Sequence, residues 1–348
     1  MKAQVFRGVN QLSYEELPIP TLEADEVLVQ VRVVGLCQSD IKKIRYPLYE
    51  PPRIFGHETA GTIAAVGSNV RKWQVGQRVA VMHHIPCMRC AYCLNDNFSM
   101  CDVYKNISTT AGFNPSGGGF AEYVKVPGHI VQNGGLIPIP NHITFEEASF
   151  VEPTNCCLKA VKKANIVPGQ TVLVTGAGPI GLMFIMLVKY FGAKAIATDL
   201  IPSRIEKALN VGAEAAFDAR DTELTTKIHA LTDGMGVDVT LLAVPSDKAF
   251  FQALDCTRKG GKILFFAEFP DEVEIPINPN ILYRREIDLM GSYSSSYRLQ
   301  SLAADIVFNR RIDVNALISD RYSLQDLSQA VNQAIAPTSE TYKILIYP

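Results

Sequence analysis

The segment from Thr171 to Asp199, TVLVTGAGPIGLMFIMLVKYFGAKAIATD, most constrains the fold of this 348-residue chain. A short apolar run, typical of a buried strand, leads into GAGPIG and then into an apolar run typical of a helix. At such a turn the first glycine permits the tight bend, the second admits a pyrophosphate, and the third lets helix pack on strand. The segment predicts a dinucleotide site at the helix N-terminus. Its contact residues are Gly176, Gly178, Pro179, Ile180 and Gly181.

Asp199 ends the next predicted strand and bears on the choice of cofactor. A carboxylate at this position accepts hydrogen bonds from the adenosine ribose and repels a 2′-phosphate, which favours NAD over NADP. Arg204 follows five residues later. It either stacks on adenine or reaches a phosphate, or it is a solvated cation on a helix, and the sequence leaves both interpretations open.

Strand and helix patterns alternate from residue 170 onward, which predicts a doubly wound parallel sheet. The predicted strands are Thr171–Thr175, Ala195–Asp199, Asp238–Ala243 and Lys262–Phe266, and the predicted helices include Gly181–Phe191 and Ser203–Val211.

The region before residue 150 has a different character, with short strand patterns separated by turn residues. The predicted strands are Glu26–Val34, Gly61–Val66 and Arg78–Met82, and Asn106–Gly119 is predicted to be a glycine-rich loop. The chain ends in a strand-like tail, Tyr342–Tyr347.

The overall charge excludes two classes of partner. Lys and Arg number 33 against 35 Asp and Glu, for a formal net charge of -2. This balance provides neither the basic surface of a nucleic-acid-binding protein nor a polybasic membrane-binding segment. The first ten residues, MKAQVFRGVN, contain no apolar run typical of a secretory signal. We therefore expect a cytoplasmic protein that binds neither nucleic acid nor membrane.

Four of the eight cysteines are concentrated in one segment, Cys87, Cys90, Cys93 and Cys101, with the spacing C-x2-C-x2-C-x7-C. Four thiolates at this density match a closed tetrahedral zinc site, which is structural because no position remains for substrate. The alternative, a disulfide framework, belongs to exported proteins. The spacing therefore predicts a structural zinc ion.

A second set of possible metal ligands is dispersed: Cys37 in GLCQSD, His57 and Glu58 in GHE, and Glu152 in VEP. Taken singly, each has an ordinary explanation. A lone Cys is often a small core residue, a lone His is often a hydrogen-bonded bystander, and a lone Glu is often a surface charge.

The motifs GLCQSD, GHETAGTIAAVG, the four-cysteine lobe, GGFAEYVKVP, VEP and GAGPIG occur in this order over nearly the whole chain. Together they resemble the zinc-containing medium-chain dehydrogenases, in the branch of sorbitol, galactitol-phosphate and threonine dehydrogenases. The resemblance implies an α/β protein with a GroES-like, β-rich catalytic domain and a Rossmann doubly wound parallel sheet. The implied domains are 1–155, with the structural-zinc lobe, 156–293, which binds the dinucleotide, and 294–348, which returns to the catalytic domain.

The resemblance also implies the roles of the dispersed residues. Cys37 and His57 are expected to hold a catalytic zinc together with an acidic residue, Glu58 or Glu152, one at a time. Ser39 resembles the hydroxyl that begins the family's proton relay, although a turn hydrogen bond is the alternative. The expected cofactors are two zinc ions, one catalytic and one structural, and NAD. The expected assembly is a homodimer or homotetramer.

The expected reaction is hydride transfer between NAD and a secondary alcohol carbon of a polyol or sugar-alcohol-like substrate. Threonine-type amino alcohols and simple alcohols are the alternatives within the family. A non-enzymatic zinc-ribbon interaction protein is a further alternative, but it explains neither GAGPIG with Asp199 nor the dispersed ligand set.

Several other side chains have roles that the sequence leaves open. His83 and His84 flank the cysteine lobe and are expected to be core or surface histidines. Cys156 and Cys157 are expected to pack near nicotinamide rather than bind metal. Two arginines, Arg284 and Arg285, would meet a polar or phosphorylated substrate or form structural salt bridges.

Overall fold

The computed structural model describes residues 1–83, 85–103 and 118–348, so His84 and most of the predicted glycine-rich loop lie outside the described residues. The chain divides into two compact units. Unit 1 comprises Met1–Asn155, Ser295–Arg310 and Ile318–Pro348, and unit 2 comprises Cys156–Ser294 and Arg311–Leu317. Within the described ranges, no helix is long and apolar enough to cross a membrane.

The described residues form fifteen strands. In chain order they are β1 Lys2–Gly8, β2 Gln11–Glu16, β3 Val27–Gly35, β4 Glu58–Val66, β5 Arg78–Val81, β6 Tyr123–Val126, β7 Leu136–Pro138, β8 Thr171–Thr175, β9 Lys194–Asp199, β10 Ala215–Asp218, β11 Val237–Leu242, β12 Thr257–Phe265, β13 Asp288–Gly291, β14 Ile318–Ser323 and β15 Lys343–Tyr347.

The α-helices are numbered in the same way. They are α1 Gln38–Arg45, α2 Ala91–Leu94, α3 Gly128–Gln132, α4 Phe145–Ser149, α5 Val151–Lys163, α6 Pro179–Tyr190, α7 Pro202–Asn210, α8 Leu224–Ala230, α9 Asp247–Cys256, α10 Pro279–Arg285, α11 Gln300–Phe308 and α12 Leu327–Ile335.

Unit 1 is built on a seven-stranded sheet in the order β14-β15-β3-β4-β5-β7, with β6 also paired to β3. β3 is its central strand, because VLVQVRVVG buries most of its side chains and pairs antiparallel with β4, β6 and β15. The pairing places Gly35, at the end of β3, opposite Glu58, the first residue of β4. This register brings the GLCQSD and GHE motifs to the same end of the two paired strands.

Unit 2 is a six-stranded parallel sheet in the order β10-β9-β8-β11-β12-β13. Numbered within the unit, this is the order 3-2-1-4-5-6 of a dinucleotide-binding fold, whose ligand lies at the carboxyl ends of the strands where the order reverses. The reversal falls beside β8, whose last residue, Thr175, precedes GAGPIG. Helix α6 starts at Pro179, a residue suited to the first turn because it lacks an N–H.

The predicted fold class is confirmed by this architecture. The predicted strands and helices overlap observed ones, with boundaries that differ by a few residues. Seven strands were not predicted from the sequence, and three of them, β10, β13 and β14, expose or half-bury their side chains. Each lies at the edge of its sheet, where the buried apolar run or alternation that identifies a strand in sequence is weakest.

Candidate metal centres and dinucleotide site

The four cysteines of the lobe converge in unit 1. The sulfurs of Cys87, Cys90, Cys93 and Cys101 all lie within 4.8 Å of one another. Cys90 and Cys93 Sγ are 3.4 Å apart, and Cys87 and Cys93 Sγ are 3.9 Å apart. Four sulfurs at about 2.3 Å from a tetrahedral zinc ion would be separated by about 3.8 Å, so the donor set fits this metal.

The cysteine lobe also favours at least one thiolate. Backbone N–H groups of Arg89 and Cys90, opposed by burial, lower the pKa of the Cys87 thiol to about 6. Burial and the neighbouring Cys90 and Cys101 sulfurs raise the pKa of Cys93 to about 12. A divalent cation is what allows all four to be thiolates together.

A second group, in the same unit, comprises Cys37, His57 and Glu58, whose ligand atoms also lie within 4.8 Å of one another. Cys37 follows β3 and precedes the first residue of α1, and Glu58 begins β4. His57 and Glu58 are 5% and 1% exposed, so the carboxylate does not belong to the solvent surface. One thiolate, one imidazole and one carboxylate form the donor set of a catalytic zinc site with an open position.

The imidazole of this group is held by a residue that the sequence analysis did not single out. His57 Nδ1 lies 3.0 Å from Oδ1 of Asp40, a carboxylate that is completely buried. Burial lowers the pKa of His57, but the charges of Asp40 and Cys37 outweigh it and raise the pKa well above its ordinary value. Because Nδ1 faces Asp40, Nε2 is the nitrogen available to a metal.

Asp40 is itself held as a carboxylate. Burial alone would raise its pKa, but His57 and Lys43, whose Nζ is 3.5 Å from Oδ1, outweigh this effect and lower the pKa far below its ordinary value. The N–H of Gly56 also donates to Oδ1, at 3.4 Å. Asp40 therefore accepts from His57 with a fixed geometry and a full negative charge.

Two other predicted site residues lie near this group. Ser39 is exposed, and its hydroxyl donates to Cys37 Sγ at 3.4 Å. Glu152 is buried in the first turn of α5 and is not among the three residues whose ligand atoms lie closest together. Its charge nevertheless acts on the ammonium of Lys343, which is ion-paired with Glu58.

Two residues beside the second group, Asp40 and Lys343, were not expected from the sequence. Asp40 had a detectable signal, because it lies three residues after Cys37 in the GLCQSD motif. Lys343 had no such signal, because it lies in the last strand and is far from Glu58 in the sequence. The His83 ring is buried, with its centroid 4.8 Å from that of His57, so it is a core histidine beside the proposed metal ligands.

The glycine motif of unit 2 has the close packing that its spacing predicts. A Cβ on Gly181 would lie 1.7 Å from the carbonyl oxygen of Gly176, so a side chain there would separate helix α6 from strand β8. Asp199 accepts hydrogen bonds from the N–H groups of Ala177, at 2.7 Å, and Ile201, at 2.9 Å. The carboxylate is thereby fixed beside the turn that is expected to receive the dinucleotide.

Three further residues considered in the sequence analysis, Arg285, Cys156 and Cys157, also lie in unit 2. Arg285 donates to the carbonyl oxygens of Leu254, at 2.8 Å, and Thr257, at 2.5 Å, at the end of α9. This favours a structural role for Arg285, through backbone carbonyls rather than a salt bridge. Cys157 is fully buried, and Cys156 is half-buried.

Comparison with known proteins finds two family models and a set of relatives that cover the chain. Residues 23–140 match the family described as "Alcohol dehydrogenase GroES-like domain", and residues 179–309 match "Zinc-binding dehydrogenase". The chain is 35% identical to a protein named sorbitol dehydrogenase from Bacillus subtilis (strain 168), over 100% of this chain and 97% of that protein.

Two solved structures are similar over the full length. A protein described as a zinc-binding dehydrogenase, from Sinorhizobium meliloti 1021 bound to NADP, has a TM-score of 0.90 and 28% identity, covering 100% of this chain and 99% of the other. Galactitol-1-phosphate dehydrogenase from Escherichia coli has a TM-score of 0.87 and 25% identity, covering 100% of both chains. The chain therefore belongs to the zinc-containing medium-chain dehydrogenases, in the branch of the sorbitol and galactitol-phosphate dehydrogenases, and is a zinc- and nicotinamide-dependent oxidoreductase.

Proposed function

We propose that this enzyme oxidises a secondary hydroxyl of a polyol or sugar alcohol to a ketone, with NAD as the hydride acceptor. The observation that carries the proposal is the group of half-buried Cys37 with buried His57 and Glu58, and a second carboxylate, Glu152, buried nearby. Cys37, His57 and Glu58 would hold the catalytic zinc, and the four lobe cysteines would hold the structural one. Unit 1 would carry the reacting alcohol, and unit 2 would carry the dinucleotide.

Asp40 and Ser39 have separate roles in the proposed reaction, beside those of the metal and the cofactor. When bound, zinc supplies Lewis-acid polarisation of the alcohol oxygen, and nicotinamide supplies the hydride acceptor. Asp40 holds His57 in the tautomer that leaves Nε2 free for the metal. Ser39, whose hydroxyl lies beside Cys37, accepts the proton released from the substrate hydroxyl and passes it outward.

The acidic character of the site supports a polyol rather than a simple alcohol. Glu58 and Glu152 are both buried, so the site is acidic and polar. A vicinal diol offers a second hydroxyl that can hydrogen-bond to such a site, whereas a simple aliphatic alcohol offers none. Threonine-type amino alcohols remain the alternative class.

Asp199 supports NAD as the cofactor. Its carboxylate is fixed by two backbone N–H groups, so it cannot swing away from a 2′-phosphate without losing both hydrogen bonds. The S. meliloti protein is described with bound NADP, so the proposal of NAD for this chain depends on Asp199 and not on that relative.

Assembly and location are also proposed. We infer a homodimer or homotetramer, supported by the edge strand β13 and the exposed side chains of Leu289 on it and Tyr283 before it. We infer a cytoplasmic enzyme, supported by four cysteines that are grouped at metal-ligand distances rather than paired in disulfides.

Metal removal tests the proposed reaction. Dialysis against a strong chelator should abolish polyol-dependent NADH formation, and added zinc should restore it. Formation of NADH that persists with less than one zinc equivalent per chain would overturn the proposal.

A further inference from the structure

The charged end of Lys343 is buried beside the proposed catalytic metal site. Lys343 begins β15 and is 7% exposed, and its Nζ forms an ion pair with Oε2 of Glu58. The charges of Cys37 and Glu152 also act on this ammonium. Lys343 therefore places its ammonium among the acidic groups of the proposed metal site.

The backbone beside this ion pair is shaped to accommodate it. Gly35 is opposite Glu58 in the β3–β4 pairing and opposite Leu345 in the β3–β15 pairing. A Cβ on Gly35 would lie 1.9 Å from Glu58 Oε2 and 2.8 Å from Lys343 Cε. Because any side chain at this position would collide with both partners, the ion pair passes over a strand that must have glycine there.

The formal charges of the proposed metal group explain why the ammonium of Lys343 lies beside it. A Cys37 thiolate and the carboxylates of Glu58 and Glu152 carry three negative charges, and a divalent metal supplies two positive charges. One negative charge would remain buried, which is unfavourable unless a cation balances it. Asp40 has its own cation, Lys43, 3.5 Å away. Lys343 supplies one positive charge, which brings the metal group to neutrality.

We infer that Lys343 is a positioning residue that holds Oε2 of Glu58, so that this carboxylate reaches the metal through one oxygen and a coordination position stays open for substrate. The inference deepens the proposed function and rests on it. A carboxylate can bind a metal through one or both oxygens. Without the ammonium, Oε2 of Glu58 would lose its ion-pair partner, and both oxygens of Glu58 would then bind the metal.

The test uses the full chain loaded with cobalt(II) in place of zinc, without substrate or nicotinamide. Visible absorption of cobalt reports the number and type of its ligands. Lys343→Met removes the charge at similar side-chain length. Lys343→Gln also removes the charge but keeps a hydrogen-bond donor, and it supplies the same test where the methionine variant does not fold.

The matched control is Lys125→Met. It breaks a similarly buried ion pair within the same unit, in which Lys125 Nζ lies 3.2 Å from Glu26 Oε2 in wild type.

The expected result has three parts. Both Lys343 variants should show weaker cobalt bands, as for a higher coordination number, and should lose catalytic-site metal to a chelator about tenfold more slowly, because Glu58 then binds the metal with both oxygens. The zinc-loaded variants should have kcat lowered about tenfold or more, because the open position is filled. Lys125→Met should match wild type in cobalt spectrum and metal release.

A second background separates positioning from a general loss of stability. In Glu58→Gln the carboxylate charge is absent, so adding Lys343→Met should change neither the cobalt bands nor metal release any further. Equal effects of Lys343→Met with and without Glu58→Gln would overturn the inference, as would cobalt bands unchanged by either Lys343 substitution.

Failure of the proposed function would look different. Cys37→Ser should remove one cobalt equivalent from the chain. If wild type and Cys37→Ser bound the same amount of cobalt with the same spectrum, no metal would occupy the group at all. That result would overturn the proposed reaction itself, before any question about Lys343 arose.

Discussion

His57 Nδ1 lies 3.0 Å from Oδ1 of Asp40, in a pair from which water is almost entirely excluded. The contact fixes which imidazole nitrogen is available to the metal. Asp40→Asn should preserve the shape and lower the affinity of the catalytic site for zinc about ten- to a hundredfold, because the amide cannot supply the carboxylate charge. Chelator competition measures this affinity.

The control for that substitution is Asp238→Asn in unit 2, where the carboxylate is paired with Arg258 at 2.8 Å. It also removes one charge from an ion pair, but far along the chain from any proposed ligand, and should leave zinc affinity unchanged. Equal zinc affinity of Asp40→Asn and wild type would show that Asp40 does not orient His57.

The two cysteine groups should respond differently to substitution. Wild type is expected to hold two zinc equivalents. Cys90→Ser should lose the lobe zinc and lower Tm markedly, because a closed zinc site contributes directly to folding. Cys37→Ser should lose the other equivalent and nearly all activity, with Tm close to wild type. Metal analysis and thermal unfolding of the same samples measure both effects. A single zinc equivalent per chain in wild type would contradict the account.

Cofactor preference should depend on Asp199. Asp199→Ala removes the carboxylate that repels a 2′-phosphate, and should narrow the ratio of kcat/KM for NAD over NADP about a hundredfold, roughly 3 kcal/mol. Asp218→Ala, at the end of the neighbouring β10, is the control and should leave the ratio unchanged. A wild-type enzyme that uses NADP as well as NAD would show this assignment to be wrong.

Acid sensitivity should depend on Glu147, which forms a capping box with Thr144 and an ion pair with Arg310. Burial raises the pKa of Glu147, but these partners outweigh burial and lower it from 4.5 to about 2. A lowered folded pKa means that the ionised form stabilises the fold above about pH 5 and that this contribution is lost as pH falls towards 2.

Glu147→Gln keeps the capping box but loses the charge. It should lower the free energy of unfolding at pH 7 by about 1 to 2 kcal/mol, since Arg310 is half-exposed and partly screened. The difference from wild type should shrink as pH falls below 5. Denaturant unfolding across this range measures it, and a difference independent of pH would refute the assignment.

Much of the fold was predictable, because its strongest signals are local. The strand, turn and helix from Thr171 to Tyr190 occupy consecutive residues, and each glycine has a steric reason that the spacing alone reveals. The edge strands β10, β13 and β14 were not predictable. Their partial exposure removes the pattern on which strand prediction depends.

The candidate site was predictable only in part. Ligand types are restricted by metal chemistry, so Cys37, His57 and the lobe cysteines stand out in their motifs. Lys343 does not, because nothing near it in sequence indicates that β15 pairs beside β3 and delivers its side chain to Glu58. Lys343 comes from a strand far from Glu58 in the sequence, and only the pairing of β15 with β3 in the folded chain identifies it.

The most direct test of the central claim is a comparison of kcat/KM, by NADH formation, across several polyols and mono-alcohols matched in chain length, with threonine included. The zinc-loaded enzyme should favour polyols with a secondary hydroxyl by about tenfold or more, because a second hydroxyl adds a hydrogen bond to the acidic site. Mono-alcohols or threonine giving the highest kcat/KM would contradict the polyol assignment.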